Sequence, residues 1–169
     1  TCCVALKVAG DHNIATLLAA LALGSTLDLP MAGLLKGAAG FGGLPHRCQL
    51  VRKVNGVRYI DDSKGTNVGA TEAALIGLSS GGPIWLILGG EGKGQDFSQL
   101  QQVVSERCAG LIVLGQAAGE ITDHLGHAAR IEQVNTVEEA VLRASRLARS
   151  GDTVLLSPAC ASLDLFSSY

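Results

Sequence analysis

The 169-residue chain is 47% hydrophobic and 17% charged, enough apolar content to bury a core and too little charge for a disordered segment. Its formal net charge of -2 and pI near 6.0 exclude the clustered basic footprint of a nucleic-acid binder. Five cysteines (Cys2, Cys3, Cys48, Cys108 and Cys160) form no C-x-x-C pair and leave an odd number. That excludes a zinc ribbon and a closed disulfide framework, and fits free thiols in a reducing cytosol.

In chain order, residues 2–8 alternate loosely and predict a strand. Gly10-Asp11-His12-Asn13 breaks it, with Asn13 as a candidate helix cap. The Ala- and Leu-rich stretch 14–27 predicts a helix buried on most faces; its longest apolar run, 14–23, is too short to span a membrane. Pro30 suits a first helical turn, and residues 31–39 predict a second helix. Phe41-Gly42-Gly43-Leu44-Pro45-His46-Arg47 combines glycine and proline, so a domain boundary is placed there.

Strands at 48–54 and 57–60 flank Asn55-Gly56, a strong hairpin signal. Helices are expected at 68–78, 97–108, 117–125 and 136–150, the last with Thr136 and Glu139 spaced as a capping box. Strands are expected at 84–88, 111–114, 130–134 and 152–156, and another helix from Ser162. Strands alternating with helices predict an α/β, Rossmann-like, mostly parallel sheet with helices on both faces. Both ends read as cut inside an element, Thr1 in a strand and Tyr169 in a helix, as expected of part of a longer chain.

Three loops follow predicted strands, where α/β sheets place their ligands. Asp61-Asp62-Ser63-Lys64-Gly65-Thr66-Asn67 packs two carboxylates, an ammonium, two hydroxyls and an amide ahead of a helix; it reads as a ligand site or as an ordinary capped loop. Gly89-Gly90-Glu91-Gly92-Lys93-Gly94-Gln95-Asp96 lets backbone approach an anion, with Lys93 adding charge, or is a flexible loop. It is neither a Walker A loop nor G-x-G-x-x-G, since Gln95 stands where the third glycine belongs. Ser157 to Asp164 is rich in small residues, with Cys160 a small buried residue and Ser162 able to cap a helix and face a ligand.

His46-Arg47 reads equally as a phosphate contact or a surface pair. His124 and His127 have no acidic or Cys partner at metal spacing and read as solvated, as do Arg52-Lys53 and Arg146 with Arg149. Gly77-Leu78-Ser79-Ser80-Gly81 matches G-x-S-x-G, but it ends a helix and precedes a strand, the reverse of a nucleophile elbow.

Taken together, Gly10 to Asn13, Gly43 to Arg47, Asp61 to Asn67, Leu88 to Lys93 and Ser157 to Asp164 with Phe166 occur in an order that resembles the C-terminal part of the Mur ligases. The D-S-K-x-T-N and S-P-A-C-A-S blocks are most similar to those of the member that adds D-glutamate. The resemblance implies that residues 1–42 are the tail of a central ATPase domain and 43–169 most of a C-terminal glutamate ligase-type domain.

It also implies ATP-dependent ligation of D-glutamate to UDP-N-acetylmuramoyl-L-alanine through an acyl phosphate, in peptidoglycan biosynthesis, by a cytoplasmic enzyme that is monomeric at full length. By the same resemblance Asn13, Arg47 and Asp62 contact ATP, Asp62 at its ribose. Lys64 and Arg47 serve catalysis, and Thr66, Lys93, Ser162, Leu163 and Tyr169 surround D-glutamate. Mg2+ would be held outside these residues, so the isolated chain is expected to be inactive.

Two positions depart from the family pattern: Thr16 stands where a second Asn is usual, and Tyr169 where Phe is usual. The alternative readings are a non-catalytic Rossmann-like module for a dinucleotide or acidic metabolite, and a folylpolyglutamate synthetase-like ligase acting on L-glutamate.

Overall fold

A computed structural model describes residues 11–78 and 81–161. The expected strand at 2–8 and helix from Ser162 therefore lie outside the described residues, as do Ser162, Leu163 and Tyr169. Two helices come first, α1 (Asp11–Thr26) and α2 (Met31–Gly40). The hairpin β1 (Gln49–Val54) and β2 (Val57–Asp61) follows. Asn55 and Gly56 have φ of 51° and 82°, the two left-handed residues that a tight hairpin turn of matching twist demands.

Next come α3 (Val68–Gly77), β3 (Ile84–Gly89), a 3-10 turn (Phe97–Leu100), α4 (Gln101–Arg107) and β4 (Cys108–Leu114). The chain then runs through α5 (Ala118–Leu125), β5 (Ile131–Gln133), α6 (Val137–Leu147) and β6 (Thr153–Leu156). The sheet order is β1-β2-β6-β3-β4-β5, antiparallel only at β1 and β2.

Alternation along the central strands loads both faces with apolar side chains, as a parallel sheet covered on two sides requires. Ile84, Leu86 and Leu88 of β3, with Leu111 and Val113 of β4, face a core completed by α3, α4, α5 and Phe97. Trp85, Ile87, Ile112 and Leu114 face the opposite side, where α6 supplies Ala140 and Ala144. The connection from β5 through α6 crosses on that second face, and β6 pairs between β2 and β3. The loops after β2, β3 and β6 thus leave neighbouring strands at one edge of the sheet.

Several expectations need correction. α1 carries mostly exposed residues, including Leu18 and Leu23 at 61% and 68% exposure, instead of being buried on most faces. Apolar periodicity reports what a face is made of, and only a packed neighbour removes it from water. Asn13 is inside α1, not its cap. The single helix expected at 97–108 is a 3-10 turn, capped by Asp96 accepting from the Ser98 N–H, followed by α4, and Cys108 opens β4. α6 spans a shorter range than 136–150. Its cap is as read, with Thr136 Oγ1 accepting from Glu139 N–H at 3.1 Å, but the Glu139 carboxylate reaches back to Asn135 N–H and not to Thr136.

His124 is also not simply solvated. Its Nδ1 is buried, and its ring lies 6.5 Å from that of Phe97. Cys48, Cys108 and Cys160 are free thiols, as expected. Burial pushes the Cys108 thiol up to about 12. Among the described residues no helix is long and apolar enough to cross a membrane.

Candidate functional site

The loop after β2 turns on Asp62, which is 7% exposed. Its backbone N–H donates to Leu156 O at 2.8 Å, continuing the β2–β6 pairing by one residue. Its carboxylate is held from two directions. Oδ1 accepts from Cys48 N–H at 3.1 Å, and Oδ2 from the Ser157 hydroxyl at 2.8 Å. Burial, and then the neighbouring Asp62 carboxylate, push the Cys48 thiol up to about 12, so this residue serves through its backbone and not as a nucleophile.

Gly65 N–H closes the turn onto Asp62 O at 2.7 Å, and Gly65 O accepts from Ala159 N–H at 2.8 Å. Asn67 then caps α3, its Oδ1 accepting from Ala70 N–H at 2.9 Å. The linker 41–48 docks onto this loop. Lys64 N–H donates to His46 O at 3.2 Å, and His46 Nδ1 lies 2.7 Å from Asp61 Oδ2. Asp61 is partly buried, which raises its pKa, but its bonds to His46 and Ser63 outweigh this and hold the carboxyl below the usual range. With His46 and Cys48 both at positive φ, the chain kinks on either side of Arg47.

A cleft of about 410 Å³ opens over this arrangement, lined in part by Asn13, Thr16, Arg47, Asp62, Lys64 and Gly65. Four residues expected at the site, contributed by α1, the linker and the β2 loop, therefore share one cavity. Thr16 lies one helical turn from Asn13, on the same face, and joins the wall. Arg47 and Lys64 are exposed and cationic, and Asp62 is a buried carboxylate. Cations at a rim suit a polyphosphate, and a fixed carboxylate accepts from hydroxyl donors.

The glycine-rich loop after β3 is laced into the same edge. Glu91 and Ala161 exchange backbone hydrogen bonds, and Gly89 N–H donates to Pro158 O at 2.9 Å. Lys93 is exposed on this loop at φ 50°. Neither Lys93 nor the half-buried Thr66 lines the cleft. Gln95 joins all three loops: Oε1 accepts from Val68 N–H at 2.9 Å while Nε2 donates to Ala159 O at 2.9 Å.

From the sequence, Gln95 counted only as a break in a glycine pattern. The roles of Ser157 and Thr71 were missed too. For Thr71 a signal existed: it sits between Val68 and Leu75 on the buried face of α3, a polar residue in an apolar stripe. Among the described residues no group of three or more His, Cys, Asp or Glu could hold a metal ion.

Residues 46–160 match the family model described as Mur ligase, glutamate ligase domain. The UDP-N-acetylmuramoylalanine--D-glutamate ligase of Nitrosococcus oceani is 49% identical over 97% of this chain and 36% of its own length. The ligase of the same name from Pseudomonas aeruginosa is 50% identical over 97% of this chain and 37% of its own length. The chain thus spans a little over a third of these relatives. Among solved structures, the UDP-N-acetylmuramate-alanine ligase MurC of Thermotoga maritima superposes with a TM-score of 0.72. It covers 92% of this chain and 36% of its own, and at 21% identity it speaks for the fold alone. By its matched motifs and its sheet, the chain belongs to the Mur ligase family, carrying the family's glutamate ligase domain.

Proposed function

We propose that this chain is the C-terminal part of an ATP-dependent ligase that joins D-glutamate to UDP-N-acetylmuramoyl-L-alanine through an acyl phosphate. Residues 1–42 then end a central ATPase domain, and 43–169 form most of the glutamate ligase-type domain. The observation that carries this reading is the shared cleft of Asn13, Arg47, Asp62 and Lys64. Relatives about half identical over nearly the whole chain, and named as D-glutamate ligases, support the choice of amino acid.

In this reading Asn13, Arg47 and Asp62 hold ATP, with Asp62 accepting from ribose hydroxyls and Arg47 facing phosphates. Arg47 and Lys64 stabilise the negative charge that develops as the phosphoryl group moves to the substrate carboxylate. The amine of D-glutamate then attacks the acyl phosphate carbon, an amide forms, and phosphate leaves. Thr66, Lys93, Ser162, Leu163 and Tyr169 surround D-glutamate, a dicarboxylate that suits ammonium and hydroxyl donors. The magnesium of such chemistry would take its ligands from outside the described residues. Closure of this domain onto the central one brings the two halves of the reaction together. The enzyme is cytoplasmic and monomeric, and this chain alone is inactive.

The test is a ligation assay on the full-length protein with UDP-N-acetylmuramoyl-L-alanine, ATP and either D- or L-glutamate. Turnover with the D-enantiomer is expected. Preference for L-glutamate would place the protein with the folylpolyglutamate synthetase type, and no ligation with either would leave a binding module. Lys93→Ala should chiefly raise KM for D-glutamate; a change in ATP KM alone would show that its loop has been given the wrong substrate.

A further inference from the structure

We infer that Thr71 and Ser157 are positioning residues for the nucleotide, forming a buried hydroxyl relay that aims the Asp62 carboxylate into the cleft. This rests on the reading above, in which Asp62 takes the ribose. A carboxylate cannot donate, so the Ser157 hydroxyl donates to Asp62 Oδ2 at 2.8 Å. Its own oxygen is then left to accept, and the Thr71 hydroxyl lies 3.0 Å away, with Ser157 O at 3.4 Å as its other acceptor. The proton order is therefore fixed: Thr71 to Ser157 to Asp62.

Thr71 and Ser157 are both fully buried, on α3 and just past β6, so the relay ties the carboxylate to a helix and to the sheet at once. With Cys48 N–H on Oδ1 and Ser157 on Oδ2, each oxygen already takes one donor. The remaining acceptor capacity is available to the cleft, where it selects a ligand that offers hydroxyl donors. A buried hydroxyl at position 71 has no packing advantage over an isosteric Val, which makes its placement here meaningful.

The space around the relay is also defined. A Cβ on Gly65 would sit 2.5 Å from Asp62 Oδ2 and 2.6 Å from Ser157 Oγ, crowding both atoms of the hydrogen bond they share. The close approach of the relay thus leaves no room for a side chain at position 65.

The test measures steady-state ligation by the full-length enzyme, varying ATP and D-glutamate separately, and repeats it with 2′-deoxy- and 3′-deoxy-ATP. Ser157→Ala should raise KM for ATP by roughly five- to tenfold, the scale of losing one ordinary hydrogen bond. KM for D-glutamate should stay within about twofold, and the discrimination against the deoxynucleotides should shrink. Thr71→Val should show the same pattern at about two- to threefold, and Thr71→Ser should restore it. Should Ser157→Ala fail to fold, Thr71→Val, with Thr71→Ser as its rescue, is read in its place.

If Asp62→Asn raises ATP KM while Ser157→Ala and Thr71→Val leave it unchanged, the relay is overturned and the Asp62 assignment stands. If Asp62→Asn itself leaves ATP KM unchanged, the assignment fails. A loss of kcat with every KM and the deoxynucleotide discrimination intact overturns the relay as well, since that is what a merely structural role would produce.

Discussion

The wall of the cleft formed by the β2 loop is bonded to a strand, a linker and a neighbouring loop, through Leu156, Cys48, Ser157 and Ala159. The wall formed by α1 keeps most of its side chains exposed, and α1 and α2 frame an apolar groove of about 440 Å³ that meets the cleft at Asn13, Thr16 and Phe41. Both walls hold residues expected at one nucleotide. The first stands at the edge of a fully packed sheet; the second is a helix that packs on α2 and α3 and leaves its outer face open. Asp62 is aimed by bonds from the linker and the β6 loop, and Asn13 is placed in the cleft by the packing of α1.

The largest effect that tests this contrast is in the core. Leu155 lies fully buried in β6, beneath the site loops, and Leu155→Ala should lower stability by about 2–5 kcal/mol in chemical denaturation. At the loop itself, Asn67→Ala removes the α3 cap and should lower stability by about 1 kcal/mol. Stability unchanged by that substitution would mean the loop holds α3 without its cap.

The linker contact is read by pH. A carboxyl held below its usual value contributes stability above the unfolded value, about 3.9 for Asp, and loses it as pH falls through the folded value. The gap in stability between wild type and Asp61→Asn should therefore be open above about pH 5 and close below about pH 4. A gap that stays constant in acid would show that Asp61 does not latch the linker.

Smallest of all should be Leu18→Gln on α1, within about 0.5 kcal/mol. Should it match Leu155→Ala, the outer face of α1 is covered, and the two walls are held alike.

Much of this arrangement was legible. The Asn55-Gly56 turn, the buried run of β3 and the cap at Thr136 depend on neighbours in sequence, so local rules reach them. So does the grouping of polar residues after β2. The roles of Gln95, Thr71 and Ser157 depend on partners 27 to 95 residues away, a separation that no local pattern encodes. The same limit explains α1. Its composition signals an apolar helix, but exposure is decided by what packs on it.

The α/β alternation, the motifs of the Mur ligase family and the residues that gather at one cleft, among them Arg47, Asp62 and Lys64, are written in the chain. These are properties of short stretches, set by backbone geometry and side-chain chemistry. The insertion of β6 between β2 and β3 is set by the folded sheet and by no local pattern. That insertion brings the Ser157 hydroxyl to the Asp62 carboxylate and Ala159 to Gly65, because hydrogen bonds act over about 3 Å and strand order alone sets which loops come that close.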